Sequence, residues 1–145
     1  EITAMKMNRC FTNFDYSDAV QKLKDNNIMV ITHMIIGLPG ENFTDYTNTL
    51  NFIITNKSDG IKLQLLHVLK GTKIEEMYLS GEFRCLEKEE YIEIILKLIN
   101  KIPKNVVIHR LTGDGDKNLL IAPLWSLNKK DVLNTLNKAF SRCLP

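Results

Sequence analysis

Three apolar runs, each stopping at a glycine, constrain this chain more than any other feature. Residues 28–36 read IMVITHMII and are apolar on both parities except at Thr32 and His33. A strand with one wet face alternates, whereas one covered on both faces does not, so the pattern predicts a strand of a parallel sheet. It ends in Gly37-Leu38-Pro39-Gly40-Glu41. The second run, GIKLQLLHVLKGT at 60–72, stops at Gly71, and the third, NVVIHRLTG at 105–113, stops at Gly113. Strands are therefore expected near 28–36, 60–69 and 105–112.

Segments of helical period lie between them. Residues 17–26 carry Ala19, Val20 and Leu23 behind Ser17 or Asp18 as a cap. Residues 42–56 place Tyr46, Leu50, Ile53 and Ile54 on one stripe. The clearest helix is 86–101, where Tyr91, Ile92, Ile94, Ile95, Leu98 and Ile99 face inward and Glu and Lys form a solvated face. Asn128 opens the last, 128–140, with Val132, Leu133, Leu136 and Phe140 inside. EITAMKMNRC reads as a helix entered midway, so the chain is expected to be a piece of a longer protein. Alternating helix and strand implies right-handed βαβ units in a single α/β domain over 1–145. The 110–127 stretch has no regular period and reads as a functional loop or a cover over the sheet.

Bulk properties exclude several classes. With 145 residues, the chain is long enough for one real core. A net charge of +2 without a basic stripe gives no support to nucleic-acid binding. The longest apolar runs are about ten residues, short of the roughly 18 that span a bilayer, so a soluble cytoplasmic protein is expected. Cys10, Cys85 and Cys143 are too scattered for a zinc knuckle or a cluster loop. They are expected as free thiols, and no metal site is predicted.

In parallel α/β folds ligands gather at the carboxyl ends of strands. All three ends here combine Gly with polar residues, and the second and third add His67 beside Lys70 and His109 beside Arg110. A glycine at such an end either turns the chain or admits a ligand to the backbone. His33, inside an apolar run, reads as a hydrogen-bonded core histidine. Lys62 and Gln64 share one strand face, lining a polar interior or marking a rim. GLPGEN lacks the Gly-Lys-Ser/Thr of a phosphate loop. From Asp114, a calcium loop fails at Leu119 and Trp125.

Taken as strand and turn, THMIIGLPGE resembles the fifth strand of radical S-adenosylmethionine (SAM) enzymes, which often carry I-x-G-x-P-G-E. Ile35, Gly37, Pro39, Gly40 and Glu41 match, while His33 stands where the wider pattern often has Gly. NRCFT resembles that family's NRGHT helix entry, with Cys10 and Phe11 at its Gly and His. KLQLLHVLKGT is similar to its sixth strand, and HRLTGDGDKNLLIAPLWSLNK to the C-terminal segment of a bacterial branch. Looser likeness extends to oxygen-independent coproporphyrinogen oxidases and elongator-type acetyltransferases. The resemblance implies the C-terminal part of an open (β/α) TIM-like barrel that binds SAM and a [4Fe–4S] cluster. Ile35, Gly37, Leu38, Pro39, Gly40, Val68 and Leu69 would lie along adenosine. His67, Lys70, His109 and Arg110 would meet substrate or the SAM carboxylate. The family's CxxxCxxC is absent from these residues, so the cluster is expected on the protein's own missing N-terminal half. Alone, the chain is then expected to be inactive, without cofactor, and to self-associate through an open sheet edge. The rival readings are a non-catalytic interaction module and a phosphate-binding half-barrel using the helix start at Asn42.

Overall fold

The computed structural model describes residues 2–113 and 115–143. Glu1, Asp114 and the Cys143 thiol, all weighed above, lie outside what it describes. The elements are α1 (Ile2–Lys6), α2 (Asn13–Asp25), β1 (Ile31–Ile36), α3 (Phe43–Thr55), β2 (Gly60–Leu65), β3 (Val68–Leu69), α4 (Lys73–Leu79), α5 (Lys88–Ile99), β4 (Val107–Arg110), β5 (Leu120–Ala122), a 3-10 turn (Leu124–Leu127) and α6 (Lys129–Cys143).

β1, β2 and β4 form the expected parallel sheet, with β2 in the middle. One face is fully clothed. Met34, Ile36, Ile61, Leu63 and Leu65 pack under Tyr46, Leu50 and Ile53 of α3, Tyr91, Ile95 and Leu98 of α5, and Val132 and Leu136 of α6. At about 1.5–3 kcal/mol for each large side chain taken out of water, this layer supplies most of the driving force.

The other face is where the structure departs from the sequence reading. Ile31 is 38% exposed, Ile35 44% and Val107 57%. The run 28–36 is apolar on both parities, yet only one parity is covered by helices of this chain. His33 falls on the bare parity and is exposed, so it is not a core histidine. Lys62 and Gln64 lie on the same face, half-buried.

Two boundaries also move. Helix α2 starts four residues before Ser17, because Thr12 and Asp15 exchange hydrogen bonds in a capping box: the Thr12 amide donates to Asp15 over 2.7 Å and the Asp15 amide to the Thr12 hydroxyl over 3.1 Å. The run at 60–69 breaks after Leu65. The amide of Leu66 makes a last bond to the Ile36 carbonyl, 2.8 Å, and Val68–Leu69 leave to pair antiparallel with β5. The 110–127 stretch thus holds a strand. Helix α4 carried no sequence expectation.

At the amino ends of the strands, hydroxyls form a relay. Tyr16 of α2 bonds Thr32 of β1 at 2.5 Å, and Thr32 bonds buried Ser58 at 2.8 Å. Ser58 in turn donates to the carbonyls of Val30 and Gly60. At the start of α5, Arg84 grips the Glu90 carboxylate with two bonds of 2.5 and 2.6 Å, and the Glu87 amide adds a third, 2.8 Å. The Arg84 guanidinium foremost holds the Glu90 carboxyl down at about 2. A depressed folded-state pKa stabilises above the ordinary carboxyl range near 4.5, and that contribution is lost as pH falls toward 2. Acid titration of stability should show this loss, and Arg84→Gln should reduce it, the Glu87 amide keeping its share. Because the pair is exposed, its worth is no more than about 1 kcal/mol. An unchanged acid limb in Arg84→Gln would contradict the assignment.

Candidate functional site

Because the three strands run parallel, their carboxyl ends gather at one mouth, and side chains from the helices hold that mouth from behind. The Gly37 amide donates to the Tyr46 hydroxyl of α3, 3.2 Å. Burial foremost raises the pKa of this phenol, which keeps it neutral. The Tyr91 hydroxyl of α5 donates to the Leu111 carbonyl just past β4, 3.0 Å. The Trp125 indole donates to the Leu86 carbonyl, 3.0 Å.

Leu86 matters because it meets Gly37. Gly37 has φ +94°, and a β-carbon there would lie 3.2 Å from Leu86 Cδ1. Gly40, at φ +79°, faces open space. Both glycines satisfy a left-handed backbone, so the Gly-Leu-Pro-Gly turn first answers a conformational need. Asn42 then starts α3: the Thr44 amide donates to its side chain, 2.8 Å, and its own amide donates to Asp45, 2.9 Å.

The second and third strand ends meet through His67. A β-carbon on Gly113 would lie 2.5 Å from His67 Cε1, and one on Gly115 would lie 2.7 Å from Nδ1. The imidazole occupies the space two side chains would need. Of the other predicted residues, Val68 is fully buried opposite Ala122, and Leu69 pairs with Leu120. Lys70 is exposed, its amide bonded to the Leu119 carbonyl.

The predicted residues do not share one depression. Ile35 and Leu38 line a cavity of about 580 Å³ between α1, α2, β1 and α3, together with Arg9, His33, Glu41 and Asp45. Pro39 and Gly40 line a second, about 450 Å³, with Lys6 and Lys73. His109 and Arg110 line a third, also about 450 Å³, against α5 and α6. The first is the best furnished. Its Arg9 donates to Asn13, 2.8 Å. Burial foremost pushes the Glu41 carboxyl up, opposed by its bond to Thr3. Arg9 and Glu41 stood inside recognised patterns without a role. Asp45 was legible as the acidic fourth member of the Asn42 cap.

The thiols fit a cluster poorly. Cys10 is exposed, and its thiol contacts the Asn8 carbonyl at 3.4 Å. Burial, then the Glu87 charge, pushes the Cys85 thiol up, away from the thiolate a cluster needs. Among the described residues no three His, Cys, Asp or Glu side chains are placed to hold a metal ion. No described helix is long and apolar enough to cross a membrane.

Against known proteins, the Radical_SAM C-terminal domain model matches residues 58–142. The chain belongs to the radical SAM family. This radical SAM chain is 37% identical over 138 residues to Uncharacterized protein YtqA of Bacillus subtilis, covering 95% of the chain and 43% of that protein. It is 31% identical over 132 residues to Uncharacterized protein MJ0486 of Methanocaldococcus jannaschii, covering 88% and 41%. With the tRNA uridine(34) acetyltransferase of Methanocaldococcus infernus it shares 33% over 133 residues, 89% of the chain and 25% of that protein. The chain therefore spans less than half the length of these curated relatives. Among solved structures, the archaeal Methanocaldococcus infernus Elp3 with an N-terminal deletion superposes with a TM-score of 0.77 at 26% identity, over 94% of this chain and 33% of that one. The α/β architecture, with its parallel sheet and flanking helices, is that of the matched part of this radical SAM relative. The family implies SAM and a [4Fe–4S] cluster. Ile35 and Leu38 beside the first cavity suit an apolar base, whereas no described residue group suits the cluster.

Proposed function

We propose that this chain is one side of the ligand chamber of a longer radical SAM protein, the C-terminal part of an open (β/α) barrel. The bare sheet face carries this reading. Ile31, Ile35 and Val107 are apolar and exposed, and Ile35 lines the furnished cavity, as the wall of an enclosed chamber would be before its other side is added. In this reading Ile35 and Leu38 back the adenosine of SAM, and the Gly37–Gly40 turn brings the backbone close to it. Val68 and Leu69 support the neighbouring strand end. His109, Arg110 and Lys70 lie on the substrate side, and His67 positions the loop after β4. When bound, SAM supplies hydrogen-abstracting chemistry on reductive cleavage at a cluster carried outside these residues. The residues here bind, orient and exclude water.

The test is calorimetric titration of SAM into the longer protein that carries this chain and a CxxxCxxC. Ile35→Glu, which sets a carboxylate against the base, should weaken binding by at least about tenfold. Wild-type affinity in that variant, or a longer protein without the cysteine triplet, would overturn the reading. The phosphate-site alternative loses its main support at Asn42, whose amide already serves Asp45, so an anion arriving there meets a carboxylate.

A second expectation concerns the outer edge of β1, which pairs with no strand among the described residues. An unpaired parallel edge flanked by exposed Ile31 and Ile35 seeks a partner. Light scattering of the chain should give a mass that rises with concentration above the 16.7 kDa of one copy. A constant single-copy mass would count against it.

A further inference from the structure

The bare face of the sheet carries polar side chains for which the strand-end loops give no account. Alternation puts Ile31, His33 and Ile35 of β1 and Gly60, Lys62 and Gln64 of β2 on that face, with Val107 of β4 beside Gly60, and a register shift after Ile61 makes Arg110 of β4 the partner of Lys62. His33 is the register partner of Lys62, and Ile35 of Gln64. Adjacent strands lie about 4.8 Å apart, so each such pair shares one level. His109 reaches the face because Gly60 has no side chain: a β-carbon there would lie 2.7 Å from both His109 Cδ2 and Nε2.

Charge on this face is one-sided. It carries Lys62, its register partner Arg110 and two imidazoles, and no acidic residue among the described positions of these strands. Lys62 is half-buried at the centre of the sheet, between two outer strands, and makes no hydrogen bond or ion pair among the described residues. The carboxylates that share a cavity with His33 are Glu41 and Asp45. Asp45 caps α3, and burial foremost pushes the Glu41 carboxyl toward its neutral form. A half-buried lysine flanked at its own level by His33 and Arg110, with no counter-charge among the described residues, is complementary to an anion.

We infer that this face binds an anionic small molecule, with Lys62 as the charge partner and His33, Gln64 and His109 donating hydrogen bonds. The ligand is of the phosphate- or carboxylate-bearing class. As an assignment of substrate class the inference rests on the chamber reading; anion binding by the face does not.

Inorganic pyrophosphate and citrate, titrated separately into the chain, distinguish the two anion sources. Nuclear magnetic resonance of the His33 and His109 imidazoles reports occupancy. At least one of the two should give saturable shifts at both rings. Lys62→Met, which keeps the apolar stem, should weaken that response by at least about tenfold, and Lys62→Arg should retain it. Three outcomes would overturn the inference: no saturable response to either anion, a response unchanged in Lys62→Met, or a structure of the longer protein with Lys62 bonded to a protein carboxylate. SAM binding by the longer protein without anion capture would sink this inference alone. Anion capture without SAM binding would sink the chamber reading and leave the anion site standing.

Discussion

Gly37→Val should lower the stability of the chain by about 2–5 kcal/mol, the sum of a left-handed backbone imposed on an L residue and overpacking at a tight contact. Both contributions are visible: φ is +94°, and the new β-carbon would meet Leu86 at 3.2 Å. Leu86 has little room to give, because its carbonyl accepts from Trp125 and its side chain packs against the core. In a domain of this size the melting temperature should fall by about 5–15 °C. Gly40→Val supplies the control. That residue has φ +79° but nothing within 4 Å of a β-carbon, so only the backbone contribution of about 1–2 kcal/mol applies. Urea titrations of both variants decide the matter. Equal losses would mean that Leu86 yields freely. No loss at Gly37 would mean that its glycine serves ligand approach alone.

Tyr91 should show a graded pair of effects. It is 1% exposed, its ring lies 5.8 Å from Trp125, and its hydroxyl holds the Leu111 carbonyl. Tyr91→Ala removes the ring and should cost about 3–5 kcal/mol. Tyr91→Phe keeps the ring but leaves a carbonyl beyond β4 without its donor, at about 1–3 kcal/mol. Trp125 fluorescence separates the two changes. It should shift in the alanine variant and stay close to wild type in the phenylalanine variant, while amide exchange beyond β4 rises in both. A Tyr91→Phe protein as stable as wild type, with unchanged exchange after Arg110, would show that water serves Leu111 equally well.

Much of this architecture is local and was readable before folding. The helices around Tyr46, Tyr91 and Val132 announce themselves by period, and the parallel sheet follows from the alternation of helix and strand. What escaped depends on partners distant in sequence. Val68–Leu69 look like the tail of β2 until Ala122 and Leu120 claim them, and no local pattern marks a two-residue strand. The start of α2 escapes the periodic pattern because the Thr12–Asp15 cap lies ahead of the Ala19–Val20–Leu23 stripe. His33 was misread for an instructive reason. An apolar run implies cover on both faces, but not that this chain supplies it: Ile31 and Ile35 stand uncovered. At the mouth, Ile35 and Leu38 could be named from a pattern. Leu86 and Trp125 could not, since they reach it from loops and a 3-10 turn far along the chain.

The seat of His67 has a consequence for how this chain can change over time. One imidazole fills the volume that side chains at 113 and 115 would require, so residue 67 and this neighbouring pair, remote from it in sequence, form a single packing unit. While the ring remains, a side chain at either partner can enter only by displacing it. Once the ring is replaced by something small, the restriction lifts at both places together, and the loop beyond β4 becomes free to acquire side chains. A side chain at 113 or 115 is thus accommodated most readily once residue 67 has become small.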